Sequence, residues 1–197
     1  STPEAQGEAS YTADKFATEL EDAAAAFAPE IIEDENVKST LYRDPLGVSA
    51  AITPWNFPEL MPQQCILPSL VAGNTVVFKP SEDTPLTGQA YADVLNEFLP
   101  EGVLQVVHGA DDQGKELVAS DINLVTFVGS RDVGAKILTA CAPELKRVIL
   151  ELGGKDALIV LADADIEAAA SFAVQNSFRN SGQVCVSTER VYVDEKI

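Results

Sequence analysis

Basic residues are scarce in this chain. Thirteen Lys and Arg stand against 31 Asp and Glu in 197 residues, a net charge of −18 with a sequence pI near 4.2. A polyanion of this size repels nucleic acid and anionic lipid surfaces, so neither is expected as a partner. Cysteine is scarce too. Cys65, Cys141 and Cys185 show no CxxC spacing, which excludes a disulfide framework and a zinc knuckle. They read as reduced thiols, the state of a cytoplasmic protein. The first ten residues lack the basic and apolar regions of a secretory leader, and no apolar run approaches the ~18 residues that span a membrane. The single histidine, His108, has no partner carboxylate in a recognisable pattern and reads as a loop residue. What is present is ordinary for a packed chain: 46% hydrophobic and 22% charged residues, enough for a sizeable core and too apolar for disorder.

Much of the acid excess lies at the front, where ten carboxylates from Glu4 to Glu35 face Lys15 alone. Two readings stay open: a solvated acidic helix, or a salt-adapted protein with a hydrated anionic surface. Phe16, Leu20, Ala24 and Phe27 recur at three- and four-residue steps, which predicts a helix over 12–35 that Pro29 breaks or kinks. Residues 37–43 alternate like an edge strand. From residue 48 the pattern changes to short apolar strands (48–52, 75–78, 103–107, 124–128), each followed by a helix (60–72, 84–98, 113–119, 131–141). Four such alternations with short connections predict an α/β, Rossmann-like parallel sheet with helices on both faces. Strands at 147–152, 157–161 and 191–193 and a helix at 165–178 complete the reading.

Ligands of such sheets sit at the carboxyl ends of the strands. Thr53-Pro54-Trp55-Asn56 follows the first strand of the series, Lys79-Pro80-Ser81-Glu82 the second, and Gly129-Ser130 the fourth, where it opens a helix. A Gly-Ser turn at a helix start can present N–H groups to a phosphate, and it is equally an ordinary tight turn. No GxGxxG occurs. Further on, Glu151 ends a strand before Gly153-Gly154, and Cys185 follows a glycine-bearing loop. A thiol that attacks a carbonyl needs donors for the oxyanion and a base to activate water against the acyl-enzyme. Cys185, Asn56 and Glu151 supply those three kinds of group. Cys65, inside an apolar helix, and Cys141, at a helix end, read as buried thiols instead.

These residues resemble the aldehyde dehydrogenase superfamily. The matching pieces are PWNFP (54–58), AGNTVVFKPSEDTP (72–85), FVGS with Val133-Gly134 behind it, LELGGK (150–155) and NSGQVC (180–185), in the family's order. Val128 stands where the family more often has threonine. The resemblance implies the aldehyde dehydrogenase fold, with the catalytic domain incomplete here. Its divisions are an acidic lead-in at 1–36, a dinucleotide-binding domain at 37–150 and the start of the catalytic domain at 151–197. It implies NAD(P)-dependent oxidation of an aldehyde to the carboxylic acid, as part of a longer, homo-oligomeric protein.

The same resemblance assigns roles. Cys185 is the nucleophile that forms a thiohemiacetal and then a thioester, Asn56 and the Cys185 N–H hold the oxyanion, and Glu151 activates water. Lys79 and Glu82, with Ser81, take the adenine-side ribose. Gly129, Ser130 and Val133 line the pyrophosphate and adenine cleft. Ile52, Thr53, Pro54, Trp55, Leu152 and Gly153 complete the cofactor set. A buried carboxylate at Glu82 favours NAD, with NADP possible; no metal is implied. Two other readings stand beside this one: a non-catalytic piece that at most binds dinucleotide, and a cysteine esterase using the same three residues.

Overall fold

The computed structural model describes Ser1–Ile197 and divides the chain into two compact units, Thr2–Glu151 and Leu152–Ile197 with Ser1. The larger unit opens with helix α1 (Thr2–Phe27) and an antiparallel hairpin of β1 (Glu30–Glu33) and β2 (Lys38–Leu41). The predicted helix over 12–35 is therefore corrected at both ends. It starts ten residues earlier, and Pro29 stops it, so the EIIE segment is free to pair with Lys38–Leu41. Every residue of this hairpin is exposed.

The rest of the unit is built on five strands. They are β3 (Val48–Ile52), β4 (Thr75–Lys79), β5 (Leu104–Val106), β6 (Leu124–Gly129) and β7 (Arg147–Leu152), in the spatial order β5-β4-β3-β6-β7. β3 runs parallel to β4 on one side and to β6 on the other, with Ile52 opposite both Lys79 and Phe127. Ser49, Ala50 and Ala51 are small and fully buried, as a central strand covered on both faces requires.

Helices α2 (Leu60–Val71), α3 (Pro85–Asn96), α4 (Asp111–Ala119) and α5 (Arg131–Cys141) form the crossovers. Right-handed connections from β3 to β4 to β5 place α2 and α3 on one face. The chain then jumps back past β3 to β6, which puts α4 and α5 on the other. Phe78, Ile66 and Val76 are at most 1% exposed and centre the core under α2, with Cys65 among them. α1 lies across α2, and an apolar cavity of about 850 Å³ opens between α1, α2 and α3. No helix is long and apolar enough to cross a membrane.

The smaller unit holds β8 (Asp156–Val160), α6 (Ile166–Phe178) and β9 (Thr188–Val193). β8 and β9 pair in parallel, with Ala157 opposite Arg190 and Val160 opposite Val193, and a bulge falls between Asp156 and Ala157. Asp165 caps α6 by accepting the Ala168 N–H at 3.0 Å. Val160 and Ser187 are the buried residues of this unit, whereas Ile159 and Phe178 are about two-thirds or more exposed.

Candidate functional site

The switch in connection direction falls between β3 and β6, and a crevice opens there at the carboxyl ends of the strands. A cavity of about 380 Å³ occupies it, wholly within the larger unit. Ile52, Thr53, Pro54 and Trp55 form one wall as the chain leaves β3. Lys79, Ser81 and Glu82 follow β4 and form the second. Gly129 and Val133 close it from β6 and α5. Nine residues that the sequence points to for a dinucleotide thus meet in one crevice. Ser130 stands apart from them. It is exposed and caps α5, its Oγ accepting the Val133 N–H at 3.4 Å.

Lys79 is the unusual group in this wall. Its side chain is 5% exposed, yet its ammonium makes only two long contacts, to the Pro80 carbonyl at 3.4 Å and to Glu82 Oε2 at 3.7 Å. An ammonium carries three donors, and a buried one is costly until they are satisfied. Thr53 Oγ1, in the neighbouring wall, is buried without a partner. Unfilled donors and an orphan hydroxyl in one cleft match a ligand rich in hydroxyl and phosphate oxygens. Gly129 adds close approach: a Cβ there would stand 2.5 Å from the Phe127 ring. Glu82 corrects one expectation. Its side chain is 51% exposed rather than buried, so its field at the cleft is screened.

Sequence reasoning missed part of the lining. Asp111, Gly114 and Lys115 come from α4, and Lys136 and Ile137 from α5. The available signal was the position of α4 directly after β5, which aims its first turn at the same end of the sheet.

Asn56 is half-buried, between exposed Trp55 and the start of α2. Glu151 lies on β7, exposed, near enough to Cys65 to act on it electrostatically. Burial, and then the Glu151 carboxylate, push the Cys65 thiol up to about 12. Cys65 is therefore an inert core thiol, and Cys141, fully buried, is the same. His108 is exposed on a loop, its Nε2 in a 2.7 Å hydrogen bond with Gln89 Oε1. No cluster of side chains suited to a metal ion occurs.

Cys185, the exposed thiol, belongs to the smaller unit, as do Leu152 and Gly153. α6 runs out at Phe178 into a short turn at Arg179–Gly182 in which Asn180, Ser181 and Gly182 all take left-handed backbone (φ 49°, 59° and 77°). Non-glycine residues in that region each cost on the order of 1–3 kcal/mol. The curl is held by the Gln183 N–H donating to the Asn180 carbonyl at 3.0 Å, and the Ser187 N–H donates to the Val184 carbonyl at 3.0 Å around Cys185. Ser177 Oγ donates to the Thr188 carbonyl at 2.9 Å and ties the end of α6 to β9. The result is an exposed thiol on a loop held by these backbone and side-chain hydrogen bonds.

Known proteins resemble this chain in sequence and in fold. The model of the aldehyde dehydrogenase family matches residues 1–197. Phenylacetaldehyde dehydrogenase of Pseudomonas fluorescens is 45% identical over 185 residues, 92% of this chain and 37% of that protein. A probable NADP(+) succinate-semialdehyde dehydrogenase of Sinorhizobium fredii is 43% identical over 159 residues, 79% of this chain and 32% of that protein. Among solved structures, PnpE of Pseudomonas sp. WBC-3, in complex with nicotinamide adenine dinucleotide, superposes with a TM-score of 0.83 at 38% identity, covering 90% of this chain and 37% of its own. The chain spans between about a third and two fifths of the length of such relatives. A family match along the whole chain, on a sheet whose crevice suits a dinucleotide, shows that the chain belongs to the aldehyde dehydrogenase family.

Proposed function

We propose that this chain carries the dinucleotide cleft and the thiol nucleophile for NAD(P)-dependent oxidation of an aldehyde to its carboxylic acid. The observation that carries the reading is the under-satisfied Lys79 ammonium, buried in a switch-point crevice beside the orphan Thr53 hydroxyl. The division of the chain at Glu151 and Leu152 supports assigning 37–150 to cofactor binding and 151–197 to the start of a catalytic domain. Three unpaired cysteines support a reducing, cytoplasmic setting.

Lys79 would donate to the ribose hydroxyls of a bound dinucleotide, with Glu82 accepting beside it, and the N-terminus of α5 at Ser130 would face the negative charge of its pyrophosphate. A bound nicotinamide would supply the hydride acceptor. Cys185 Sγ attacks the carbonyl carbon, for which a thiolate is the competent form. The Asn56 amide and the Cys185 N–H donate to the oxygen as its charge grows. With the hydride of that carbon passed on and a thioester left on Cys185, Glu151 takes a proton from water as the water oxygen attacks the thioester carbon, and the carbon–sulfur bond breaks to release the carboxylic acid and the thiol. Glu82 favours a cofactor with a free 2′-hydroxyl, since a carboxylate repels a phosphate there.

The test is turnover of an aldehyde panel with NAD and with NADP by the full natural gene product. Reduced cofactor should accumulate, Cys185→Ala should abolish it, and Glu151→Gln should leave a rapid first turnover while steady turnover falls. Ester hydrolysis without any cofactor-dependent oxidation would instead favour the esterase reading. Absence of both activities would favour a non-catalytic piece.

A further inference from the structure

Helix α2 begins directly after the Asn56 loop, and it begins without a cap of its own. Its N-cap residue, Glu59, has helical backbone and makes no side-chain cap hydrogen bond. The first amides of a helix still need acceptors. They find one 51 residues earlier in the chain: the Glu59 and Leu60 N–H groups both donate to Glu8 Oε1 of α1, at 2.9 and 3.0 Å. A carboxylate at a helix N-terminus also meets the positive end of the helix dipole. One turn on, Gln63 is 1% exposed and its Nε2 donates to the Thr12 carbonyl at 3.1 Å and to Glu19 Oε2 at 2.9 Å. Two latches therefore hold α1 on α2, and only the first touches the helix start. From there the order passes backwards along the chain. The Met61 N–H donates to the Phe57 carbonyl at 3.2 Å and binds the residue next to Asn56 into the first turn.

We infer that Glu8 is a positioning residue for the Trp55-Asn56-Phe57 loop, acting through the Glu59 and Leu60 amides that its carboxylate holds. The consequence for turnover rests on the proposed role of Asn56; the positioning itself does not.

Trp55 is the only tryptophan in the chain, lies in this loop and is 42% exposed, so its fluorescence reports on the loop alone. Glu8→Ala in this chain should give a red-shifted Trp55 emission and steeper acrylamide quenching. Exchange at the Glu59 and Leu60 amides should rise about tenfold or more, because two charge-assisted hydrogen bonds are lost. Glu8→Gln keeps an acceptor oxygen and should recover much of the order, which also covers an alanine variant that folds poorly. Glu19→Ala removes one of the two acceptors of the second latch and should leave Trp55 unchanged. The inference is overturned if Glu8→Gln and Glu8→Ala both leave quenching and exchange as in the parent, or if Glu19→Ala loosens Trp55 as much as Glu8→Ala does. In the full natural gene product, Glu8→Ala should lower kcat by about tenfold or more. A loosened loop with unchanged kcat would count against Asn56 as an oxyanion donor and leave the positioning by Glu8 standing.

Discussion

Gly154 lies against the main chain of Cys185: a Cβ placed on Gly154 would stand 2.7 Å from the Cys185 carbonyl oxygen. The LELGGK and NSGQVC segments therefore meet through backbone, not only through order in the sequence. The same Cβ would also crowd the Asp156 carboxylate, which can rotate away, whereas a backbone carbonyl cannot. Gly154→Ala should destabilise the chain by about 1–3 kcal/mol, the usual cost of overpacking. It should also change the rate at which Cys185 reacts with a disulfide reagent. Gly153→Ala is the control, because a Cβ there meets nothing within 4 Å. Equal effects from the two substitutions would show that the approach of Gly154 to Cys185 carries no weight.

The thiols should separate cleanly by reactivity. Cys185 is exposed, and Cys65 and Cys141 are buried with their thiols pushed above the ordinary range by burial. At mildly alkaline pH a disulfide reagent should titrate one thiol in the folded chain, none in Cys185→Ala, and three after unfolding. Cys65 adds a pH effect. Its thiol rises from 9.0 to about 12, so between those values the folded chain holds a proton that the unfolded chain has lost. Stability should be unaffected by this group below about pH 9 and should fall as the pH rises through that window. Cys65→Val should flatten the alkaline fall. An unchanged slope would mean that the thiol is not shielded.

The crevice at the carboxyl ends of the strands was largely legible in the sequence because each of its pieces is local. β3 is read to the residue from a short apolar run closed by Thr53-Pro54, and α5 from its Ser130 cap. What periodicity could not reach is contact between distant segments. Glu4 and Glu8 add nothing to an apolar stripe, so the first turns of α1 were invisible until Glu8 was seen to cap α2. EIIE reads as a helix continuation because its partner strand lies beyond a turn held by Asp34 Oδ1, which accepts the Asn36 and Val37 N–H groups at 2.8 Å each. The parallel pairing of β8 with β9 joins residues about thirty apart through α6 and carries no local signature. Glu82 was misjudged for a different reason, since burial depends on what the neighbouring loop covers and its spacing from Lys79 does not reveal that.

Lys79 and Glu82 should respond differently to substitution. Lys79→Met keeps the apolar stem and removes the ammonium. NAD binding, followed through Trp55 quenching, should weaken by about tenfold or more, as expected when hydrogen bonds from a charged donor are lost. Stability should hold or rise, because the ammonium is buried with only long contacts in the free chain. Glu82→Ser should narrow the preference for NAD over NADP by about 1 kcal/mol, the scale of a half-exposed charge. Unchanged NAD affinity in Lys79→Met would remove the cleft from the cofactor site. An unchanged NAD-to-NADP ratio would show that Glu82 points elsewhere.

Glu59 offers the last test, because it shares the start of α2 with Glu8. Loss of water around its carboxyl, and then repulsion from Glu8, hold its pKa above the usual carboxylate range. An acid with a raised pKa keeps its proton longer in the folded chain than in the unfolded one. Folding stability therefore falls as the pH rises past the ordinary value of 4.5 and through the raised one, and the full penalty applies at neutral pH. Glu59→Gln removes that penalty and leaves the backbone N–H that Glu8 accepts. At neutral pH the variant should be more stable than the parent by about 0.5 kcal/mol, the scale of a relieved like-charge contact on a helix. Well below 4.5 the Glu59 carboxyl is protonated in either state, and the two melting curves should coincide. A stabilisation that does not change with pH would assign the gain to helix propensity. A loss of stability at neutral pH would mean that the Glu59 carboxylate has a partner worth more than its repulsion from Glu8.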